Sequence, residues 1–167
     1  MSTFLTSEQE GLAEEIAGLL IERGETVAVA ESTTGGLVSA ALLWVAGASR
    51  YYAGGGVVYT LKSRTELAGV PAEQYANYKG TTAEMLESLA ESMRARLGAT
   101  WCVAESGLAG PTGGRFGALS GRTTVAVVGP TRHTEVFETG HGDRGANMSE
   151  FATIALRVLR DAVGAGR

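Results

Sequence analysis

A carboxylate and three hydroxyls stand together in Glu31-Ser32-Thr33-Thr34, directly after the apolar run Val27-Ala28-Val29-Ala30 and directly before Gly35-Gly36. A serine hydroxyl that meets a base becomes a nucleophile, and backbone amides beside glycines can hold a phosphate or a developing oxyanion. The triplet recurs. Trp101-Cys102-Val103-Ala104-Glu105-Ser106 is again an apolar run ending in Ala-Glu-Ser, and it enters the glycine-rich segment GLAGPTGG as the first run enters TTGG. If both runs are strands of one parallel sheet, their carboxyl ends share an edge, and ligands of open α/β sheets bind outside that edge. The bland alternative is that Glu31 and Ser32 cap the next helix while the glycines allow tight turns. Repetition of the triplet argues against it, because two unrelated turns need not choose the same residues.

Neither loop is a standard phosphate fingerprint. GLAGPTGG lacks the Lys-Ser/Thr pair of a P-loop, and its spacing is not that of the dinucleotide turn. An anion remains possible at either, since glycine-flanked amides form nests and the helix after Gly36 offers a positive dipole end.

The elements that must position these residues alternate between helical and strand periodicity. Ser7 and Glu10 read as a capping box opening a helix with Leu12, Ile16 and Leu19 on one face, ended by Gly24. A strand at 26–30 follows, then a helix from Gly36 to about Val45, a strand at 55–60, and a short helix carrying Lys62, Arg64, Glu66 and Leu67. Thr81 and Glu84 cap a helix that reaches about Leu97, with Met85, Leu86, Leu89 and Met93 inward. After the strand at 100–105, RTTVAVVG and TEVFETG read as an antiparallel hairpin, and a last helix from about Ala146 carries Phe151, Ile154, Val158 and Leu159. Strands interleaved with helices predict a three-layer α/β/α sandwich with a mixed, mostly parallel sheet of about five strands.

A chain of 167 residues with 44% hydrophobic content fits one globular domain, 1–167. A net charge of -4 without a basic cluster excludes an electrostatic case for nucleic acid or a membrane surface. No segment approaches the roughly 20 apolar residues of a membrane span, and no leader pattern opens the chain. A cytoplasmic protein is expected, and the single cysteine, Cys102, agrees with a reducing compartment. Cys102 lies in an apolar run and reads as a small core hydrophobe. His133 and His141 have no partners at ligand spacing, so no metal is expected, and no cofactor.

Together, AESTTGG, GASRYYAGGGVVYT, GLAGPTGG and Gly142-Asp143-Arg144 resemble, in order and spacing, the CinA carboxyl-terminal domain family, across nearly the whole chain. Members include nicotinamide-mononucleotide deamidases. The resemblance implies a sandwich with one antiparallel strand, a homodimer, and hydrolysis of the carboxamide of nicotinamide mononucleotide to nicotinate mononucleotide and ammonia. It also implies a small phosphorylated substrate. Many members carry a further amino-terminal domain similar to molybdopterin-binding proteins, for which this length leaves no room. Position by position, the resemblance puts the nucleophile at Ser32, the family tyrosine at Tyr59, a second hydroxyl at Ser106, and a phosphate-binding arginine at Arg144. The family cysteine of the first motif is Thr33 here. Where deamidases carry a lysine, this chain has Arg64, and the lysine usual in the second loop is missing.

That exchange bears on the chemistry. A desolvated lysine can be neutral near neutral pH and take the serine proton, whereas arginine stays charged. Lys62 is a candidate substitute, although residues i and i+2 do not face the same way on a helix. Glu31, Glu105 and Tyr59 are the other candidate bases. The expected substrate-binding set is Glu31, Thr33, Thr34, Gly35 and Gly36 in the first loop, the latter four as oxyanion donors. Gly110, Gly113 and Gly114 belong to it in the second loop, with Arg64 and Arg144 on the phosphate. Two functions compete: an amidohydrolase acting through Ser32, Tyr59, Ser106 and Lys62, and a binding protein that keeps the pocket but has lost the base.

Overall fold

The structure is a computed structural model and describes residues 1–165. Five strands form one sheet in the order β2-β1-β3-β4-β5: β1 Val27–Glu31, β2 Tyr52–Val57, β3 Trp101–Leu108, β4 Arg122–Val128 and β5 Arg132–Glu138. β1 pairs in parallel with both β2 and β3, and β4 runs antiparallel to β3 and β5, so one strand opposes the other four. Helices α1 (Ser7–Arg23), α2 (Leu37–Trp44) and α5 (Arg144–Ala165) cover one face; α4 (Ala83–Leu97) covers the other, where the short α3 (Leu61–Glu66) also lies. No helix of the described residues is long and apolar enough to cross a membrane.

Side chains alternate across the sheet, and the two cores divide accordingly. Val27, Val29, Trp101, Val103, Val125 and Val127 pack under α1, α2 and α5. Ala28, Ala30, Cys102, Ala104, Ala126 and Val128 pack under α4. The small residues lie on the α4 side and let that helix approach closely. Cys102 is fully buried there, and burial pushes its thiol far above the ordinary range, which leaves it an inert hydrophobe.

Several boundaries move from their expected places. The capping box of α1 is Thr6 with Gln9: Gln9 N–H donates to Thr6 Oγ1 at 3.1 Å, and Thr6 N–H donates to Gln9 Oε1 at 3.0 Å. Thr6 has the extended backbone a cap requires, whereas Ser7 is already helical. Likewise α4 is capped by Thr82, which accepts from Met85 N–H at 3.2 Å, and not by Thr81. Leu19 is only half-buried, and Leu20 takes its place in the core. β2 begins at Tyr52 and leaves the sheet before Tyr59, because Thr60 caps α3 by accepting from Ser63 N–H at 3.0 Å. β3 continues to Leu108, so Ser106 lies in a strand, where β4 pairs it with Thr124.

The displaced cap at α4 frees the Thr81 hydroxyl for other partners. Thr82→Ala and Thr6→Ala are each expected to cost about 1 kcal/mol in urea unfolding, with Ser7→Ala near neutral. A larger loss at Ser7 than at Thr6 would return the cap to its neighbour.

Candidate functional site

β1 and β3 lie in register, Val27 beside Trp101 through Ala30 beside Ala104. The two Ala-Glu-Ser endings therefore lie side by side, and pleat alternation sends each glutamate and the serine after it to opposite faces. The acid and the hydroxyl do not meet at one point. Glu31 and Glu105 turn toward the α2 layer, whereas Ser32 and Ser106 turn toward α3 and α4, where both contact Arg64.

On the first face, both carboxylates are buried and saturated with donors. Glu31 Oε1 accepts from Gly36 N–H at 2.9 Å and Val38 N–H at 3.1 Å, and Oε2 accepts from Ser39 N–H at 2.9 Å. It fills the anion site at the start of α2 that an external phosphate would use. Glu105 Oε1 accepts from Ser32 N–H at 3.2 Å and Thr34 N–H at 3.0 Å. Its Oε2 accepts from the Thr33 hydroxyl and, at 3.1 Å, from Thr123 Oγ1. Gly35 N–H donates to Ser32 O at 3.3 Å. From Ser32 to Gly36, only the Thr33 amide lacks a partner among the described residues. Of the four amides expected to receive an oxyanion, those of Thr34 and Gly36 are taken by glutamate side chains and that of Gly35 by a backbone carbonyl, which leaves the Thr33 amide and was not revealed by residue types alone.

Thr34 Oγ1 lies 2.7 Å from Glu31 Oε1 and 3.0 Å from Glu105 Oε1, with one proton to give. Thr34 can donate to only one of the two carboxylates at a time and so bridges the buried acid pair. Burial raises the Glu105 pKa above its ordinary 4.5 against the pull of its hydroxyl and amide donors.

On the second face the central group is Arg64, 2% exposed. Its Nε donates to Val58 O at 3.2 Å, Nη1 to Thr81 Oγ1 at 3.0 Å, and Nη2 to Ser106 Oγ at 2.9 Å. Nη2 also reaches Ser32 Oγ at 3.5 Å, a long contact. Every one of these partners is neutral. Burial pushes the phenol of Tyr75 up, and the Arg64 charge opposes it; the Tyr75 hydroxyl has no hydrogen-bond partner among the described residues.

Ser106 and Thr81 face a cavity of about 770 Å³ beyond the carboxyl end of β3. Tyr78 completes a row of hydroxyls there, 3.0 Å from Thr81 Oγ1, which is 3.1 Å from Ser106 Oγ. Lys79, Arg115 and Arg122 also line it, with no carboxylate among the described residues of the wall, and Phe116 offers an exposed ring. Arg122 lies 3.6 Å from Glu138, and Lys79 and Arg115 have no ion-pair partner among the described residues.

Of the expected catalytic set, Ser32 and Ser106 come together through the Arg64 guanidinium. Tyr59 is 56% exposed and outside the cavity lining. Lys62 is exposed and lines a separate cavity of about 280 Å³ with Thr65, Glu66 and Tyr75. Arg144 donates from Nη1 to Gly110 O at 2.7 Å and, with buried Asn147 bonding Ala109 O at 2.9 Å, fastens the second loop to α5. Gly110 is confined there, with φ 101° and a hypothetical Cβ 2.4 Å from the Gly142 carbonyl oxygen. Gly113 passes close to the Ala118 carbonyl, and Gly114 lines the cavity. Tyr78, Thr81, Lys79, Arg115 and Arg122 were not anticipated. Sequence carries no periodic signal for them, because Tyr78, Lys79 and Thr81 precede α4, Arg115 lies between β3 and β4, and Arg122 opens β4.

A family model for the CinA C-terminal domain matches residues 9–163. The chain belongs to the CinA family. A CinA-like protein of Acidobacterium capsulatum is 38% identical over 155 residues, which is 93% of this chain and 37% of that protein. A CinA-like protein of Parasynechococcus marenigrum is 40% identical over 150 residues, 90% of this chain and 36% of that one. The chain thus spans little more than a third of these CinA relatives. Among solved structures, the competence/damage inducible protein CihA of Agrobacterium tumefaciens superposes with a TM-score of 0.90 at 28% identity, covering 98% of this chain and 99% of that one. The competence damage-inducible protein A of Klebsiella pneumoniae gives 0.89 at 28% identity, with 95% and 99% covered.

The acid pair of this CinA-family domain predicts a pH dependence. With its folded pKa above 4.5, Glu105 holds its proton more tightly in the native state than in the unfolded chain. Its contribution to stability is therefore full below that value and is lost as pH rises through the folded pKa. The stability of wild type minus that of Glu105→Gln, from urea unfolding at successive pH values, is expected to fall as pH rises. A rise of that signed difference with pH would mean that the folded pKa of Glu105 is lowered and not raised.

Proposed function

We propose that this domain binds a phosphorylated pyridine nucleotide in the cavity beside Ser106 and does not hydrolyse it. The observation that carries this reading is Arg64. Where an amidohydrolase of this kind needs a base at the serine hydroxyl, Ser32 Oγ has a guanidinium nitrogen at 3.5 Å, and arginine is a donor that does not give up its charge. Glu105 is engaged with the Ser32 amide and not with its hydroxyl, and Lys62 faces another cavity. A nucleophile therefore lacks its activator. What the site does offer is positive charge: Lys79, Arg115 and Arg122 suit the phosphate, and the family resemblance supplies the pyridine ribonucleotide that bears it.

One observation favours the second reading, deamidation of nicotinamide mononucleotide. The Ser32 and Ser106 hydroxyls flank a single nitrogen of Arg64, as a nucleophile and its proton partner would flank a lysine amine.

The readings separate in two measurements. Titration calorimetry with nicotinamide and nicotinate mononucleotides is expected to give heat with at least one of them. Ammonia release from nicotinamide mononucleotide is expected to match in wild type and Ser32→Ala, and to rise about 100-fold in Arg64→Lys as a general base is restored. Release by the wild type above Ser32→Ala would establish the hydrolase, and absence of heat with both nucleotides would remove the binding reading.

A further inference from the structure

The wall at which the ligand's ring substituent would rest has an unusual balance of donors and acceptors. Tyr78, Thr81 and Ser106 bring one proton each, and the two contacts that join them consume two. One hydroxyl proton is left over. Arg64 donates into both Thr81 and Ser106, so their oxygens accept from behind and their protons are turned away from the guanidinium. Behind the row stands a full positive charge, buried to 2% exposure, with one carbonyl and three hydroxyls as its partners. A buried charge without a counter-ion is costly, and an anion bound against it recovers that cost.

We infer that this wall is a carboxylate receptor, and that the pocket prefers a phosphorylated aromatic acid to the corresponding amide. This inference rests on the reading above and adds which ring substituent the site selects. A carboxylate accepts the spare hydroxyl proton and brings a negative charge up to Arg64, which stands behind Ser106 and Thr81. An amide of the same shape can accept that proton with its carbonyl oxygen, but it brings no negative charge and leaves Arg64 without a counter-ion. The phosphate lies at the other end of the ligand, against Lys79 and Arg115, and the ring lies against Phe116. In this arrangement the exchange of lysine for arginine changes the kind of ligand held. The site becomes one that recognises the acid form of a nucleotide pair.

Nicotinate and nicotinamide mononucleotides differ by O⁻ for NH2 and are the probes. Calorimetry on the wild-type protein is expected to give the acid a Kd about tenfold or more below that of the amide, the value of a hydrogen bond to a charged group. In Arg64→Gln, checked for folding by circular dichroism, the ratio is expected to fall to about one, and Thr81→Val on the cavity wall to lower it without disturbing the buried arginine. Equal affinities in the wild type, or tighter binding of the amide, would overturn this inference and leave the binding reading standing. Acid preference unchanged in both variants would remove the assignment to this wall. Absence of binding by both nucleotides would remove the binding reading and this inference with it.

Discussion

β1 and β3 pair in parallel and in register, and the pleat then sorts identical sequence endings to two faces. A slip of one residue would exchange the faces, placing Ser32 and Ser106 among the α2 amides and the two glutamates against Arg64. The large apolar residues on one side, Trp101 and Val103, and the alanines on the other prevent that slip, because α4 packs closely only against small residues. Core packing thus decides which chemistry faces the cavity.

Charge is distributed by the same rule. The sheet separates a pair of buried acids from a buried guanidinium that could have neutralised one of them. On the acid side, the start of α2 and the first turn hold Glu31, and the Thr34 hydroxyl bridges it to Glu105. On the other side nothing in the chain neutralises Arg64 directly, and its donors go to a carbonyl and three hydroxyls. Buried groups are normally paired within the protein. In the binding reading proposed above, an arginine left short of an anion beside a cation-lined cavity is the group a ligand would neutralise.

Much of this was legible in the residues. The echoed Ala-Glu-Ser led to two parallel strands, alternating periodicity to the sandwich, and the hairpin after Gly121 to the reversed strand. The family resemblance at Tyr59 to Arg64 singled out the arginine. What escaped was contact across long stretches of chain. Glu105 reaches the amides of Ser32 and Thr34 from more than 70 residues away, so a turn that reads as an open nest is closed. Two caps shifted by one residue because neighbouring hydroxyls, Thr6 with Ser7 and Thr81 with Thr82, are equivalent by type; backbone conformation chooses between them. For Thr81 that choice separates a helix cap from a member of the cavity wall.

The reversal of β4 has a consequence for how the protein can change. Because β4 starts where β3 stops, residues 109–121 form an excursion with both feet on one rim, pinned by Gly121 N–H donating to Leu108 O at 2.7 Å. Arg115 and Phe116 ride on it. Lengthening, shortening or recutting this segment past Gly110, where the contacts with Arg144 and Asn147 hold its base, alters the mouth of the cavity while every rung of the sheet keeps its partner. The scaffold therefore offers a place where diversity can accumulate, by natural drift or in a loop library, at little risk to folding.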